Sequence, residues 1–226
     1  MARLSILHIE VSSMAKQKID APRVPQGLPD LTLGTWLESQ DVYELGVISD
    51  CKVADQEAAK LVFDQVIFRN VVFQNVSLQN IELTDIIFEN CDLSNADLSD
   101  AIIHRTEFRN CKLIGTNLSG AMLRNVKVDH CLVDYANFRY INMKQVILAG
   151  SSFVSADLYN TTLQQVYFND SILEQAQLSG TKLAGIDLSG CQFLTISAEA
   201  DDLKGCIIAP EQAPVFAALF GLIVKD

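Results

Sequence analysis

The chain has 226 residues, 49% hydrophobic and 20% charged, with a formal net charge of −11. That suits one domain with a real core. The acidic balance argues against direct nucleic-acid binding, and the longest apolar run, Ala217 to Val224, falls far short of a membrane span.

The N-terminal apolar run is too short for a secretory signal and is interrupted by His8 and Glu10, so a cytoplasmic location is expected. Met14 offers a second plausible start. Residues 1–40 form an irregular N-terminal segment. Pro22, Pro25, Gly27 and Pro29 make Ala21–Asp30 extended, either mobile or laid along the rest of the molecule. Residues 41–60 read as a cap at the start of the fold. Ala54–Lys60 is rich in helix formers, and a short helix or turn there would cover an open end.

From Phe63 to Phe193 every fifth residue is apolar, 27 in succession. A second small or apolar set lies two residues before each, as in Asn-Ala-Asp-Leu-Ser at 95–99. A period of five fits neither a helix nor a strand, and signals a stacked architecture whose units bury one another's apolar side chains. These residues resemble the pentapeptide-repeat family, with a central Leu or Phe and a small residue two before it. The resemblance implies an all-β solenoid, a right-handed quadrilateral β-helix, with four repeats per turn and residues 20 apart stacked. Residues 61–208 then make about seven turns, a rod about 35 Å long at about 4.8 Å per layer. Each inward Leu or Phe is worth about 1.5–3 kcal/mol on burial.

On this geometry Cys51, Cys91, Cys111, Cys131 and Cys191 share one inward column with Ser151 and Ser171. They read as small buried hydrophobes rather than as a disulfide or metal set. Arg69, Glu89, Arg109 and Asp129 share an outward column of alternating sign and read as a stacked charge ladder. Arg124 and Lys144 stack like on like, which makes them candidates for a partner contact; a solvated surface is the plainer alternative. The outward acids Asp157, Asp170, Glu174 and Asp187 of the C-terminal half join them as candidates. Net charge is −9 over residues 1–100, +4 over 101–144 and −6 over 145–226. No catalytic constellation is visible around His8, His104 or His130, so a non-enzymatic protein without metal or cofactor is expected.

Residues 209–226 change character. Pro210 and Glu211 suit a helix start, Gly221 a stop, and Leu222-Ile223-Val224 a short strand; Pro214 should bend or delay the helix. Val215, Phe216, Leu219, Phe220 and Leu222 make the segment apolar on nearly all sides. A two-fold dimer would bury them, with a monomer cap as the plainer alternative.

Three stretches resemble the quinolone-resistance (Qnr) type of pentapeptide-repeat protein, in its Gram-positive chromosomal form. They are Lys-Leu-Val-Phe-Asp-Gln-Val-Ile-Phe at 60–68, Asp-Tyr-Ala-Asn-Phe-Arg-Tyr at 134–140, and Leu-Lys-Gly-Cys-Ile-Ile-Ala-Pro-Glu-Gln-Ala at 203–213. That resemblance implies a dimerising C-terminal helix. It also implies binding to DNA gyrase and topoisomerase IV, by partial DNA mimicry, with protection from quinolones. The alternatives are a generic interaction scaffold and an immunity factor against a gyrase-directed toxin. Gram-negative members carry projecting loops that the uninterrupted 61–208 run lacks.

Overall fold

Eight-residue strands recur every twenty residues in the computed structural model, which describes residues 17–225. The Met14 start, the N-terminal signal reading and His8 lie outside the described residues. In chain order the strands are β1 (Val42–Ser49), β2 (Lys52–Ala54), β3 (Val62–Arg69), β4 (Val72–Gln74), β5 (Glu82–Glu89), β6 (Ile102–Arg109), β7 (Met122–Asp129), β8 (Asn142–Ala149), β9 (Thr162–Asn169), β10 (Ala176–Gln177) and β11 (Ile196–Ser197). One parallel sheet runs β1-β3-β5-β6-β7-β8-β9, each strand in register with the residue 20 later, as in Phe68↔Phe88 and Phe88↔Phe108. Parallel bridges between residues 20 apart, such as Asp97↔Asn117 and Asp187↔Ile207, carry the other sides. The result is a parallel β-solenoid of about eight turns.

The repeat chemistry explains the shape. At nearly every fifth position the backbone turns with positive φ, for example Asn70, Asn75, Asn80, Asn90, Asn95 and Asp100. Asn, Asp and Gly tolerate this left-handed conformation best. Between corners, the central Leu or Phe and the small residue two before it point inward. Phe68, Phe88 and Phe108 stack with centroids 4.7 and 4.9 Å apart, close to the layer spacing, and with their ring planes nearly parallel. Each such contact adds about 0.5–1.5 kcal/mol beyond burial.

The segment 41–60, expected as a cap, is the first turn of the rod. Tyr43, Ile48, Val53 and Ala58 keep the fifth-residue register, and β1 pairs with β3 along its length. The expected helix or turn over Ala54–Lys60 is replaced by strand and bridge. Helix propensity is a weak preference, and stacking on the next turn overrides it. The extra turn brings the rod to about 38 Å at about 4.8 Å per layer.

The cap itself lies in residues 30–39. Leu31 and Leu33 pack on the core and Leu37 is buried. Gly46 stands where later turns carry Val66, Ile86 and Val126. A Cβ there would meet the Leu31 Cβ at 2.5 Å, so the missing side chain admits Leu31. Buried Gln56 ties the cap down: Leu37 N–H donates to its Oε1 (2.9 Å), and its Nε2 donates to the carbonyls of Thr35 (3.3 Å) and Ala54 (3.0 Å).

The far end is closed in the same manner. A 3₁₀ turn, Pro210–Gln212, leads into the short helix α1, Ala213–Leu219, with Pro214 in its first turn. The helix proper is thus delayed, where Pro costs no interior hydrogen bond. Buried Gln212 donates to the carbonyls of Leu188 (2.9 Å) and Cys191 (2.8 Å). Phe216 packs edge-on against Phe193, centroids 5.8 Å apart. The strand expected at Leu222–Val224 is not formed. These residues are exposed, and Leu222 N–H bonds only back to the Ala217 carbonyl (3.1 Å), so no sheet edge receives them.

Candidate interaction surface

The rod's interior is filled, so function falls to its exterior columns and its ends. Among the described residues, no group of three or more His, Cys, Asp or Glu is placed to hold a metal ion. No helix there is long and apolar enough to cross a membrane.

The cysteine column is packing. Cys91, Cys111, Cys131 and Cys191 are buried, and Cys51 half-buried. The Cys91 and Cys111 amides point at the sulfurs one turn on (3.4 and 3.3 Å), and the Cys131 amide donates to Ser151 Oγ (2.9 Å). Burial pushes the Cys191 thiol up to about 12.

Four of the seven basic residues of the mid-rod band, Arg105, Arg109, Lys127 and Arg139, are ion-paired. Arg105 makes a fork to Asp85, Nε–Oδ1 2.5 Å and Nη2–Oδ2 2.7 Å, with both side chains mostly buried. Burial works against the Asp85 charge, but the hydrogen bonds from Arg105 and from the Arg23 amide outweigh it and hold the carboxyl below its usual range. Arg105 therefore does not lie free on the surface beside His104. Burial, then the neighbouring Arg105 and Arg124, lowers the His104 pKa. The alternating ladder forms only at its first step, Arg69–Glu89 at 2.9 Å. Arg109 turns instead to Glu107 (2.5 Å) and Asp129 to Lys127 (2.8 Å). A residue two away on the same strand points the same way and competes with the turn above.

Arg124 and Lys144 are direct register partners on β7 and β8, exposed, and without an ion pair among the described residues. Asp157 lies 3.6 Å from Arg139, which also sits 4.9 Å over the Tyr159 ring. With exposed Tyr140 this makes an aromatic–arginine patch that the sequence reading did not single out. Asp170 and Asp187 are exposed. Glu174 accepts hydrogen bonds from the Leu194 amide (2.6 Å) and the Thr195 hydroxyl, which lower its pKa. The six candidates thus spread over several turns and do not converge.

At the C-terminus Phe216 is buried and Val215 half-buried against the rod, while Leu219, Phe220 and Leu222 are exposed with Ile223 and Val224. Phe216 acts within its own chain, which leaves the last five as the free apolar face.

A parallel solenoid with convex polar sides and a filled interior is a repeat scaffold. A family model described as a pentapeptide repeat region matches residues 61–138. A second, for pentapeptide repeats (8 copies), matches 134–170 and 171–193. Together they cover more than half of the chain, which belongs to the pentapeptide-repeat proteins; neither model describes an enzyme. A search of the curated proteins finds no match. Among solved structures, the chain is similar to a trypsin-treated variant of QnrB1, a plasmid-mediated fluoroquinolone resistance protein. Identity is 18% over 80% of this chain and 99% of that one, with a TM-score of 0.47. It is also similar to HetL, a protein involved in heterocyst differentiation regulation from Nostoc sp. strain PCC 7120, at 21% identity over 75% and 90%, TM-score 0.32. A third is a pentapeptide-repeat protein of the Arabidopsis thaliana thylakoid lumen, at 20% identity over 56% and 69%, TM-score 0.37.

Proposed function

We propose that this protein is a non-enzymatic binder of type II topoisomerases, DNA gyrase or topoisomerase IV, that protects them from quinolones in the manner of the loop-free Qnr type. The observation that carries this reading is an unbroken rod ending in an exposed apolar tail, Leu219 to Val224. Two rods joined there would measure roughly 75 Å, the length of about 22 base pairs. The acidic C-terminal turns would lie at the centre, where a basic DNA-binding saddle attracts them. Such a duplex carries about 44 negative charges, against a formal −22 for the dimer, twice the −11 of one chain. The likeness is therefore one of shape more than of charge density.

A general interaction scaffold is the second reading. The ion-paired basic band and the Arg139–Tyr140–Tyr159 patch favour it, since neither belongs to a uniform DNA-like surface. Light scattering and calorimetric titration into reconstituted gyrase and topoisomerase IV separate the two. The first reading expects a dimer mass and binding to at least one enzyme. A monomer that gives no binding heat with either would overturn it.

A further inference from the structure

Residues 17–31 lie as an extended strap across the turns of the rod, running against its direction of growth. Gln17 and Asn169 exchange side-chain hydrogen bonds (3.0 and 2.6 Å). The Asp20 amide donates to Asn125 Oδ1 (3.1 Å) and the Arg23 amide to Asp85 Oδ1 (2.9 Å). The Leu31 amide then reaches the Val47 carbonyl (2.7 Å). From Asp20 to Arg23 the strap advances three residues while the rod descends two turns, from Asn125 to Asp85. Three residues of extended or polyproline chain span about 9–10 Å, and two layers span about 9.6 Å. The spacings match, so the rod offers a regular track to an extended chain.

The track is built differently from the rest of the surface. The corner column beneath the strap holds Leu45, Gln65, Asp85, Arg105, Asn125, Gln145 and Gln165, all at positive φ. Several of these are long side chains in a conformation that suits Asn or Gly better. The column reverts to glycine at Gly185, one turn past the strap's Gln17 anchor on Asn169. The adjacent outward column is apolar at Val47, Ile67, Ile87, Ile147 and Tyr167, and is interrupted in mid-rod by the ion-paired Glu107 and Lys127. Ile147 is buried and the other four half-buried, whereas outward Ile102, Met122 and Leu132 on uncovered columns are exposed. On the strap, Ile19, Pro22, Val24 and Leu28 are half-buried, as are Gln17 and Leu31 at its two ends.

Two features mark the strap as an imperfect occupant. Its N-terminal part stands off the rod over a cleft lined by Lys18, Asp20, Gln145, Gln165 and Tyr167. Below Arg23 the three-for-two step is lost: the strap turns at Gln26 and Gly27 and uses six residues, Arg23 to Pro29, to come down the next two turns, from Asp85 to Val47, passing the turn of Asp64 and Gln65 out of step. Asp64 Oδ1 is the buried side-chain oxygen left without a hydrogen bond among the described residues.

We propose that this track is a docking groove for an extended, proline-containing segment of a partner polypeptide, with residues 17–31 as its built-in competitor. Recognition runs through backbone amides at three-residue steps and apolar residues at the spacing of Ile19, Pro22 and Val24. It therefore tolerates different sequences of that chemistry. A partner segment with a free amide opposite Asp64 satisfies the oxygen that the strap leaves bare. The groove stands independently of any topoisomerase role.

The test uses the full chain and its Asp20→Pro/Arg23→Pro variant, which removes both anchoring donors and leaves the groove intact. A fluorescent peptide copying residues 17–31 should bind the variant at least about ten-fold tighter than the native chain. Hydrogen exchange should show faster amide exchange along residues 17–28 of the variant. The proposal is overturned if the variant, with native circular dichroism, does not take up the peptide. Unchanged exchange along the strap also overturns it, because the two amides would then not be its anchors. A variant that dimerises without peptide makes a second copy the occupant and overturns the assignment to a partner.

Discussion

Replacing Phe216 by Ala separates the capping of the rod from the dimerisation proposed for the C-terminal segment. The ring is 8% exposed and packs edge-on against Phe193 at 5.8 Å. Truncating a buried Phe costs about 3–5 kcal/mol, and the edge-to-face contact contributes about 0.5–1.5 kcal/mol of that kind of loss. A site at the end of a rod relaxes more than one in the middle, which points to the lower part of the range, about 3 kcal/mol. Gln212, four residues earlier, holds the Leu188 and Cys191 carbonyls and would lose its support, so these acceptors gain exposure as well. Urea unfolding followed by circular dichroism measures the change, at several protein concentrations because dimer stability depends on concentration. Phe216→Ala should lower stability by about 3 kcal/mol at every concentration and leave the association state unchanged in folded protein. Leu219→Asp with Phe220→Asp should do the reverse, halving the mass by light scattering. A Phe216→Ala chain of native stability that dissociates to monomers would refute the assignment of this ring to its own rod.

Arg105→Ala leaves a mostly buried Asp85 without its partner and should cost about 3–5 kcal/mol in chemical unfolding near neutral pH. The pH dependence should change too. With Arg105 present the folded Asp85 carboxyl titrates below its unfolded value, so its contribution is present above the ordinary carboxylate range and lost as pH falls through the folded pKa. Without Arg105 burial dominates and raises that pKa, so the variant should recover relative stability on acidification; an unchanged profile would contradict the ion-pair reading. The thiols give a third check. Half-buried Cys51 and Cys206 should react first with a thiol reagent in native protein, and Cys191 only on unfolding. Immediate labelling of all six cysteines would show that the column is not packed as described.

The rod could be read from sequence because its signal repeats: each turn supplies the same inward Leu or Phe, and the period alone excludes a helix or an ordinary strand. The first turn carries the same register at Tyr43, Ile48, Val53 and Ala58. It was obscured by the helix formers of Ala54–Lys60, whose local preference is small beside stacking on a neighbouring turn. The Arg69 to Asp129 ladder broke because outward charges have same-strand neighbours two residues away as well as partners 20 away. The strap left a subtler trace. Apolar residues at the outward positions Ile67, Ile87 and Ile147, and long side chains at corners where Asn or Gly is expected, mark the covered edge. Both signals need the turn geometry in hand before they stand out. The dual character of residues 215–220 was visible as all-round hydrophobicity, but which residue faces the rod depends on where α1 begins.

The topoisomerase reading is tested most directly by gyrase supercoiling in the presence of ciprofloxacin while purified full-length protein is titrated in. The account predicts restored supercoiling over a concentration range in which the protein alone leaves gyrase active. It further predicts that the Leu219→Asp/Phe220→Asp chain rescues poorly. Absence of rescue at any concentration, together with absence of binding to gyrase or topoisomerase IV, would contradict it and leave the rod as a scaffold for another partner.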